Sequence, residues 1–325
     1  MKRGRWGLVL GGGGVLGAAW MAGALAALER THGVDARAAD VILGTSAGSV
    51  MAALLGSGVS VQELCARQLG EPVTSGPLAG LTWDPSTAGR RRPPRPRLRP
   101  GSAALVVHNA GRLRRLPPTA VLSGLVPEGR GSLAGVGSLV AALHGDEWSP
   151  HLGVRVVALD FATGRRVVFG APSAPPAGIV DAVMASCAIP GWYSPVVING
   201  RRYIDGGAWS STNVDLVARE GLERLFVLAP MVSFALDRPA SLPARLERRW
   251  RVRVTRRCLR EIARVHDGGT EVTVLGPGPE DLAAIGANLM DDARRVAVLR
   301  TSLTTSMAAF AAPEVLPDRH LGAAG

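Results

Sequence analysis

Val41-Ile42-Leu43-Gly44-Thr45-Ser46-Ala47-Gly48-Ser49-Val50-Met51-Ala52-Ala53-Leu54-Leu55 joins two apolar runs through a serine bracketed by glycines. The three-residue run at Val41 reads as a short buried strand, and Ser49 to Leu55 as a buried helix. A strand that becomes a helix within a few residues needs small residues at the turn, because the two backbones pass close to each other. Gly44-Thr45-Ser46-Ala47-Gly48 meets that need and has the G-x-S-x-G form of a nucleophile elbow. The turn places the Ser46 hydroxyl at a helix N-terminus, where developing negative charge is favoured. G-x-S-x-G is common by chance, and here the flanking strand and helix make it specific.

A second unit of the same kind lies upstream. Trp6 to Leu10 reads as a buried strand, Gly11 to Gly14 as a turn, and Gly17 to Arg30 as a helix. Trp6 to Leu28 carries no charge and follows the basic Met1-Lys2-Arg3-Gly4-Arg5, as a signal peptide or membrane span would. Four consecutive glycines, each costing ~1 kcal/mol against Ala in a helix, favour strand, loop and helix instead. Two strand–glycine–helix units in the first sixty residues indicate an α/β fold: a mostly parallel central sheet flanked by helices.

Downstream, Val154 to Leu159 and Arg166 to Phe169 read as partner strands, and Ile179 to Ser186 as a helix stopped by Pro190. Val196-Val197-Ile198, Asn199-Gly200 and Arg201 to Ile204 form a hairpin signal, since Asn-Gly suits a type I′ turn. Asp205-Gly206-Gly207 follows directly. Asn213 is expected to cap a helix over Val214 to Glu220, and Leu225 to Leu228 and Glu271 to Leu275 read as further strands. In Arg245 to Val265, residues Leu246, Trp250, Val254, Cys258 and Ile262 fall four apart on one helix face. That face is expected to dock on the domain with arginines in water; a helix lying on a membrane surface is the alternative. Gly89 to Pro100 (GRRRPPRPRLRP) reads as a basic Pro/Arg-rich insertion, solvated or contacting phosphate. The expected organisation is a single domain over 1–312 with a loose tail at 313–325.

The chain has 325 residues and a formal charge of +11, carried almost wholly by arginine. That charge attracts anionic partners without choosing among them. The insertion lacks aromatic residues on which bases could stack, so nucleic-acid binding is not expected. Cys65, Cys187 and Cys258 match no zinc spacing and form an odd, sparse set, which fits buried thiols in a reducing compartment. No metal or cofactor is expected. Gly12, Gly14 and Gly17 also fit the dinucleotide-binding G-x-G-x-x-G, but that fold wants an acidic residue closing the second strand. Asp35 and Asp40 precede it instead.

A nucleophilic serine needs a base. His32, His108, His144, His151, His266 and His320 are available, and only His266, before Asp267-Gly268-Gly269, sits in a glycine-rich setting. Ser46–Asp205–His266 would keep the chain order of an α/β-hydrolase triad. Asp205 is the stronger candidate: it ends a hairpin strand, two glycines let other backbone approach, and partial burial would raise its pKa into a useful range. Locally it could equally be a turn-capping aspartate. The free backbone N–H groups of the turn at Gly11 to Gly14 offer an anion site suited to an oxyanion.

Three ordered segments together resemble the patatin-like phospholipase family. Leu10-Gly11-Gly12-Gly13-Gly14-Val15-Leu16-Gly17 is similar to its oxyanion-hole motif, and Gly44-Thr45-Ser46-Ala47-Gly48 to its nucleophile motif. Ala185-Ser186-Cys187-Ala188-Ile189-Pro190 through Tyr203-Ile204-Asp205-Gly206-Gly207 is similar to the stretch ending in its catalytic D-G-[GA]. The resemblance implies a three-layer α/β sandwich and a Ser46–Asp205 dyad without histidine or metal, with the oxyanion site at Gly12, Gly13 and Gly14. It also implies hydrolysis of lipid acyl esters, in the cytoplasm or in peripheral contact with an anionic membrane. Leu16 stands where the family usually has Arg or Lys, a departure that leaves open a catalytically degraded, lipid-binding relative.

Overall fold

The computed structural model describes residues 4–81, 96–97, 101–109, 116–145 and 147–311. Apart from Pro96 and Arg97, the insertion at 89–100 lies outside these residues, as does the tail at 313–325. The two N-terminal units are β1 (Trp6–Leu10) with α1 (Gly14–His32), and β2 (Val41–Thr45) with α2 (Ala47–Gly56). Four helices follow: α3 (Val61–Leu69), α4 (Ala103–His108), α5 (Pro118–Leu125) and α6 (Ala134–His144). Then come β3 (Val154–Asp160), β4 (Arg166–Phe169), α7 (Ile179–Ser186), β5 (Val196–Ile198) and β6 (Arg201–Asp205). The chain continues through β7 (Arg224–Leu228), α8 (Leu242–His266), β8 (Glu271–Leu275), α9 (Pro279–Ile285) and α10 (Arg295–Ala311).

The strands pair in the order β5-β6-β3-β2-β1-β7-β8, with β4 also pairing β3. β3, β2, β1, β7 and β8 run parallel, while β4 and β6 are antiparallel to β3. Alternation along the strands divides the core in two. Leu8, Leu10, Ile42, Val156 and Ala158 pack with α1, α2, α3, α6 and α7 on one face. Val9, Leu43, Val157 and Val227 meet Cys258 and Val265 of α8 on the other. The result is the expected three-layer sandwich. The hairpin is also as read: Asn199 and Gly200 both take positive φ, 49° and 74°, as a type I′ turn requires.

β3 sets the site. The N–H and C=O of one strand residue point to the same edge, and successive residues alternate. Gly153 C=O accepts from Ile42 N–H on β2, and Phe161 N–H donates to Arg202 C=O on β6. Asp160 N–H donates the other way, to Arg165 C=O at the start of β4. β2 and β6 therefore share one edge of β3, end to end. Thr45 is registered on Val157 and Asp205 on Ala158, so the residues that end the two strands meet.

Two local expectations fail. The helix over Val214 to Glu220 is only a 3-10 turn, Val214–Val217, and Asn213 does not cap it with its side chain; it sits at φ 54° and is engaged elsewhere. In α8 the apolar stripe does not face inward along its whole length. Cys258 is buried, but Leu246 and Trp250 remain 54% and 39% exposed, while Arg248 and Arg251 are buried. The buried arginines have partners that make this tolerable. Arg248 pairs with Asp237 and Glu247 and donates to Leu282 C=O (2.8 Å); Arg251 donates to Glu247 Oε1 (2.6 Å) and Pro230 C=O (2.6 Å).

Candidate active site

Ser46 stands between β2 and α2 at φ 53° and ψ −123°, a conformation that costs a non-glycine residue roughly 1–3 kcal/mol. Close packing holds it there. A Cβ on Gly48 would lie 1.9 Å from Leu10 C=O, so the first turn of α2 crosses the end of β1 at a distance only glycine permits. Ser49 Oγ donates to Ser46 C=O (2.6 Å).

The backbone N–H of Ser46 would make the next ladder bond to Val157 C=O. Instead the Ser186 hydroxyl, at the end of α7, is inserted into that rung. It accepts from Ser46 N–H at 2.9 Å and donates to Val157 C=O at 2.6 Å. Sequence reasoning missed this residue. Its place in the Ala185–Pro190 segment was legible, but its partners lie far away in the chain.

Asp205 ends β6, and its own N–H donates to Ala188 C=O (3.0 Å). Its Oδ1 accepts from Gly207 N–H at 2.7 Å, so it does cap a turn. The same carboxyl group lies close enough to the Ser46 side chain for that serine to lower its pKa. Only 5% of Asp205 is exposed. Burial pushes its pKa up to about 6, against the lowering effect of the Ser46 side chain and the Gly207 N–H.

The glycine turn lies alongside. A Cβ on Gly12 would come within 3.2 Å of Ser46 Cβ. Gly12 N–H is already taken by Ser211 C=O (2.8 Å). Gly13 and Gly14 N–H groups, at the start of α1, have no acceptor among the described residues. Gly14 takes φ 63°, and a Cβ there would be 2.7 Å from Met290 Sδ. Leu16 is fully buried in the core, and its N–H donates to Leu289 C=O (2.9 Å).

The loop after Asp205 is tied to both other segments. Asn213 Nδ2 donates to Thr45 Oγ1 (3.1 Å) and Ser210 C=O (2.7 Å), and its Oδ1 accepts from Arg166 (3.2 Å). Glu261 Oε2 accepts from Ser210 Oγ (2.9 Å), Thr212 Oγ1 (3.1 Å) and Val214 N–H (3.3 Å). Burial raises the Glu261 pKa.

Gly12, Gly13, Gly14, Ser46 and Asp205 line one cleft of about 630 Å³, walled by apolar residues such as Leu122, Val126, Ile189, Met231 and Leu289. No histidine is among its lining residues. His266 sits exposed at the far end of α8, so the triad alternative has no base at Ser46. His144 instead meets Ala53 C=O, and His32 stacks between Phe226 and Phe310. Among the described residues, no cluster of three or more His, Cys, Asp or Glu could hold a metal ion.

The model of the patatin-like phospholipase family matches residues 8–218, a span that contains the glycine turn, the elbow and Asp205. The chain belongs to the patatin-like phospholipase family. Its similarities to solved structures are distant. VipD from Legionella pneumophila aligns at 14% identity and a TM-score of 0.46, over 95% of this chain and 67% of that one. The type III effector protein ExoU aligns at 16% identity and a TM-score of 0.35, over 94% of this chain. The family member described here spans about half of ExoU, 52%. No curated protein matches the chain.

The three cysteines are free. Cys187 and Cys258 are buried and Cys65 is half-buried, and burial raises all three thiols, Cys65 to about 11 and Cys258 to about 12. Among the described residues no helix is long and apolar enough to cross a membrane.

Proposed function

We propose that the protein hydrolyses carboxylic esters of lipids through a Ser46–Asp205 dyad and an acyl-enzyme intermediate. The observation that carries this reading is the meeting of a strained elbow serine with a buried aspartate of raised pKa, brought to adjacent rungs of β3. Both face an apolar cleft beside two unpartnered backbone N–H groups. Asp205 takes the Ser46 proton as the hydroxyl attacks the ester carbonyl. Gly13 and Gly14 N–H groups receive the oxyanion of the tetrahedral intermediate, aided by the N-terminus of α1. Gly12 serves by letting that turn approach Ser46, its own N–H being committed to Ser211. Asp205 then gives its proton to the leaving alcohol. In the second half it deprotonates water, which attacks the acyl-enzyme and releases the fatty acid.

The apolar walls suit an acyl chain. Contact with an anionic membrane surface is part of the proposal. Leu122 and Leu125 of α5 and Leu242, Leu246 and Trp250 of α8 are exposed apolar side chains, and α8 is rich in arginine. Leu122 and Trp250 also line the cleft.

The test is hydrolysis of p-nitrophenyl butyrate, with fluorophosphonate labelling in parallel. Ser46→Ala should lose at least about 1,000-fold in kcat and all labelling. Asp205→Asn should lose comparable activity, and His266→Ala should lose none. A wild type that neither turns over nor labels would sink the reading.

A further inference from the structure

One wall of the cleft belongs to α8, which contributes Trp250, Arg253, Val254, Arg257 and Arg260. Spacings of four and three put the three arginines on one helix face. The acidic residues of α8 are Glu247 and Glu261, and both are engaged in the protein interior. Glu247 pairs with Arg248 and Arg251, while Glu261 holds Ser210, Thr212 and Arg257 Nε (3.1 Å). Arg257 is further fixed by Trp209, whose ring centroid lies 5.3 Å from its guanidinium and 5.1 Å from that of Arg166. Among the described residues no carboxylate pairs with Arg253 or Arg260; Arg260 Nε donates to Arg256 C=O (3.2 Å). Of the cleft-lining residues only Asp205 carries a carboxyl group, and it accepts from Gly207 N–H. With Glu261 paired to Arg257, the wall presents the positive charge of Arg253 and Arg260 without a paired carboxylate among the described residues. Like charges one turn apart oppose helix formation, and a bound anion relieves that repulsion. Arginine forks match phosphate oxygens in pairs.

We propose that Arg253, Arg257 and Arg260 form an anion subsite for the phosphate of a phospholipid headgroup, so that anionic phospholipids are the preferred substrates. This rests on the lipid-ester reading of the cleft. A phosphatidylcholine carries a compensating ammonium that the same wall repels, whereas phosphatidylglycerol does not. The shared chemistry is phosphate, which a free phosphate ion could also supply.

Binding is read by titration calorimetry on Ser46→Ala protein, where turnover cannot deplete the ligand. The probes are monomeric dihexanoylphosphatidylglycerol, dihexanoylphosphatidylcholine and inorganic phosphate. The glycerol lipid should bind roughly tenfold more tightly than the choline lipid. Arg253→Gln with Arg260→Gln should bring that preference to within about twofold. Arg249→Gln with Arg256→Gln makes the same charge change at exposed positions that do not line the cleft, and should leave the preference intact. Equal loss in both double variants would assign the effect to net charge and overturn the subsite. So would no lipid preference combined with tight binding of inorganic phosphate, which marks a free-phosphate site. Turnover of p-nitrophenyl butyrate by the wild type separates the two readings. An active enzyme without the preference overturns the subsite alone; the preference in a protein that cleaves no ester keeps the subsite and overturns the hydrolase.

Discussion

As the proposed base, Asp205 is under two opposing demands. A base must be ionised to take a proton, yet burial favours its neutral form, and the balance holds its pKa near 6 instead of the ordinary 3.8. For a non-ionising ester, kcat/KM is expected to rise with pH across a single limb near 6 and to be flat above it. A stopped pH-rate profile checks this, and a limb near 4 would mean the carboxylate is not desolvated. The same shift has a thermodynamic side. Between 3.8 and about 6 the folded chain binds more protons than the unfolded one, so stability falls as pH rises through that window. The penalty is fully present above it. Asp205→Asn removes the ionisable group, and should be more stable than wild type at pH 7.5 by on the order of 1–3 kcal/mol. Urea unfolding should show that gain vanish below about pH 4. At this scale the sequence shows those residues whose neighbours must be small: Ser46 and Asp205 each announce themselves through flanking glycines. Ser186 and Asn213 do not, because a hydroxyl or amide that bonds across the fold leaves no local mark.

Among the elements, the elbow is the least tolerant of change. Gly48→Ala places a methyl against Leu10 C=O, a backbone atom that can retreat only by parting β1 from α2. A loss of at least about 3 kcal/mol is expected from chemical denaturation, with an unchanged slope if the unfolded state is unaffected. A loss below about 1 kcal/mol would show that the crossing can open. Helix α8 carries the opposite lesson about legibility. Its four-residue apolar spacing is real, but periodicity measures what could be buried and not what the rest of the fold offers to bury it against. Glu247, Asp237 and the Pro230 carbonyl give Arg248 and Arg251 partners inside, and Leu246 and Trp250 are left exposed. Of these, only Glu247 lies on the helix itself, so local reading could not find the arrangement.

For the whole molecule, the proposed membrane contact has the charge of +11 and the exposed apolar side chains of α5 and α8 acting on the same event, arrival at a lipid surface. Co-sedimentation of Ser46→Ala with phosphatidylglycerol vesicles should fall steeply as salt is raised from about 0.05 to about 0.5 M, where the screening length shrinks below about 5 Å. Association unchanged by salt, or none at low salt, would remove charge from the account. Fold class was open to sequence reasoning because two strand–glycine–helix units imply a parallel sheet with covering helices. Strand order was not, since the β2–β3 and β1–β7 pairings join segments more than a hundred residues apart.

That arrangement carries a consequence for how such a chain can vary. The proposed nucleophile and base are brought in by strands that abut along β3, one rung apart, so β3 acts as a ruler between them. Their separation is counted in rungs of that strand and not in residues of chain. The segments between Ser46 and β3, and between β3 and β6, can lengthen or shorten without resetting it. Such insertions can reshape the mouth of the cleft and leave the spacing of Ser46 and Asp205 untouched.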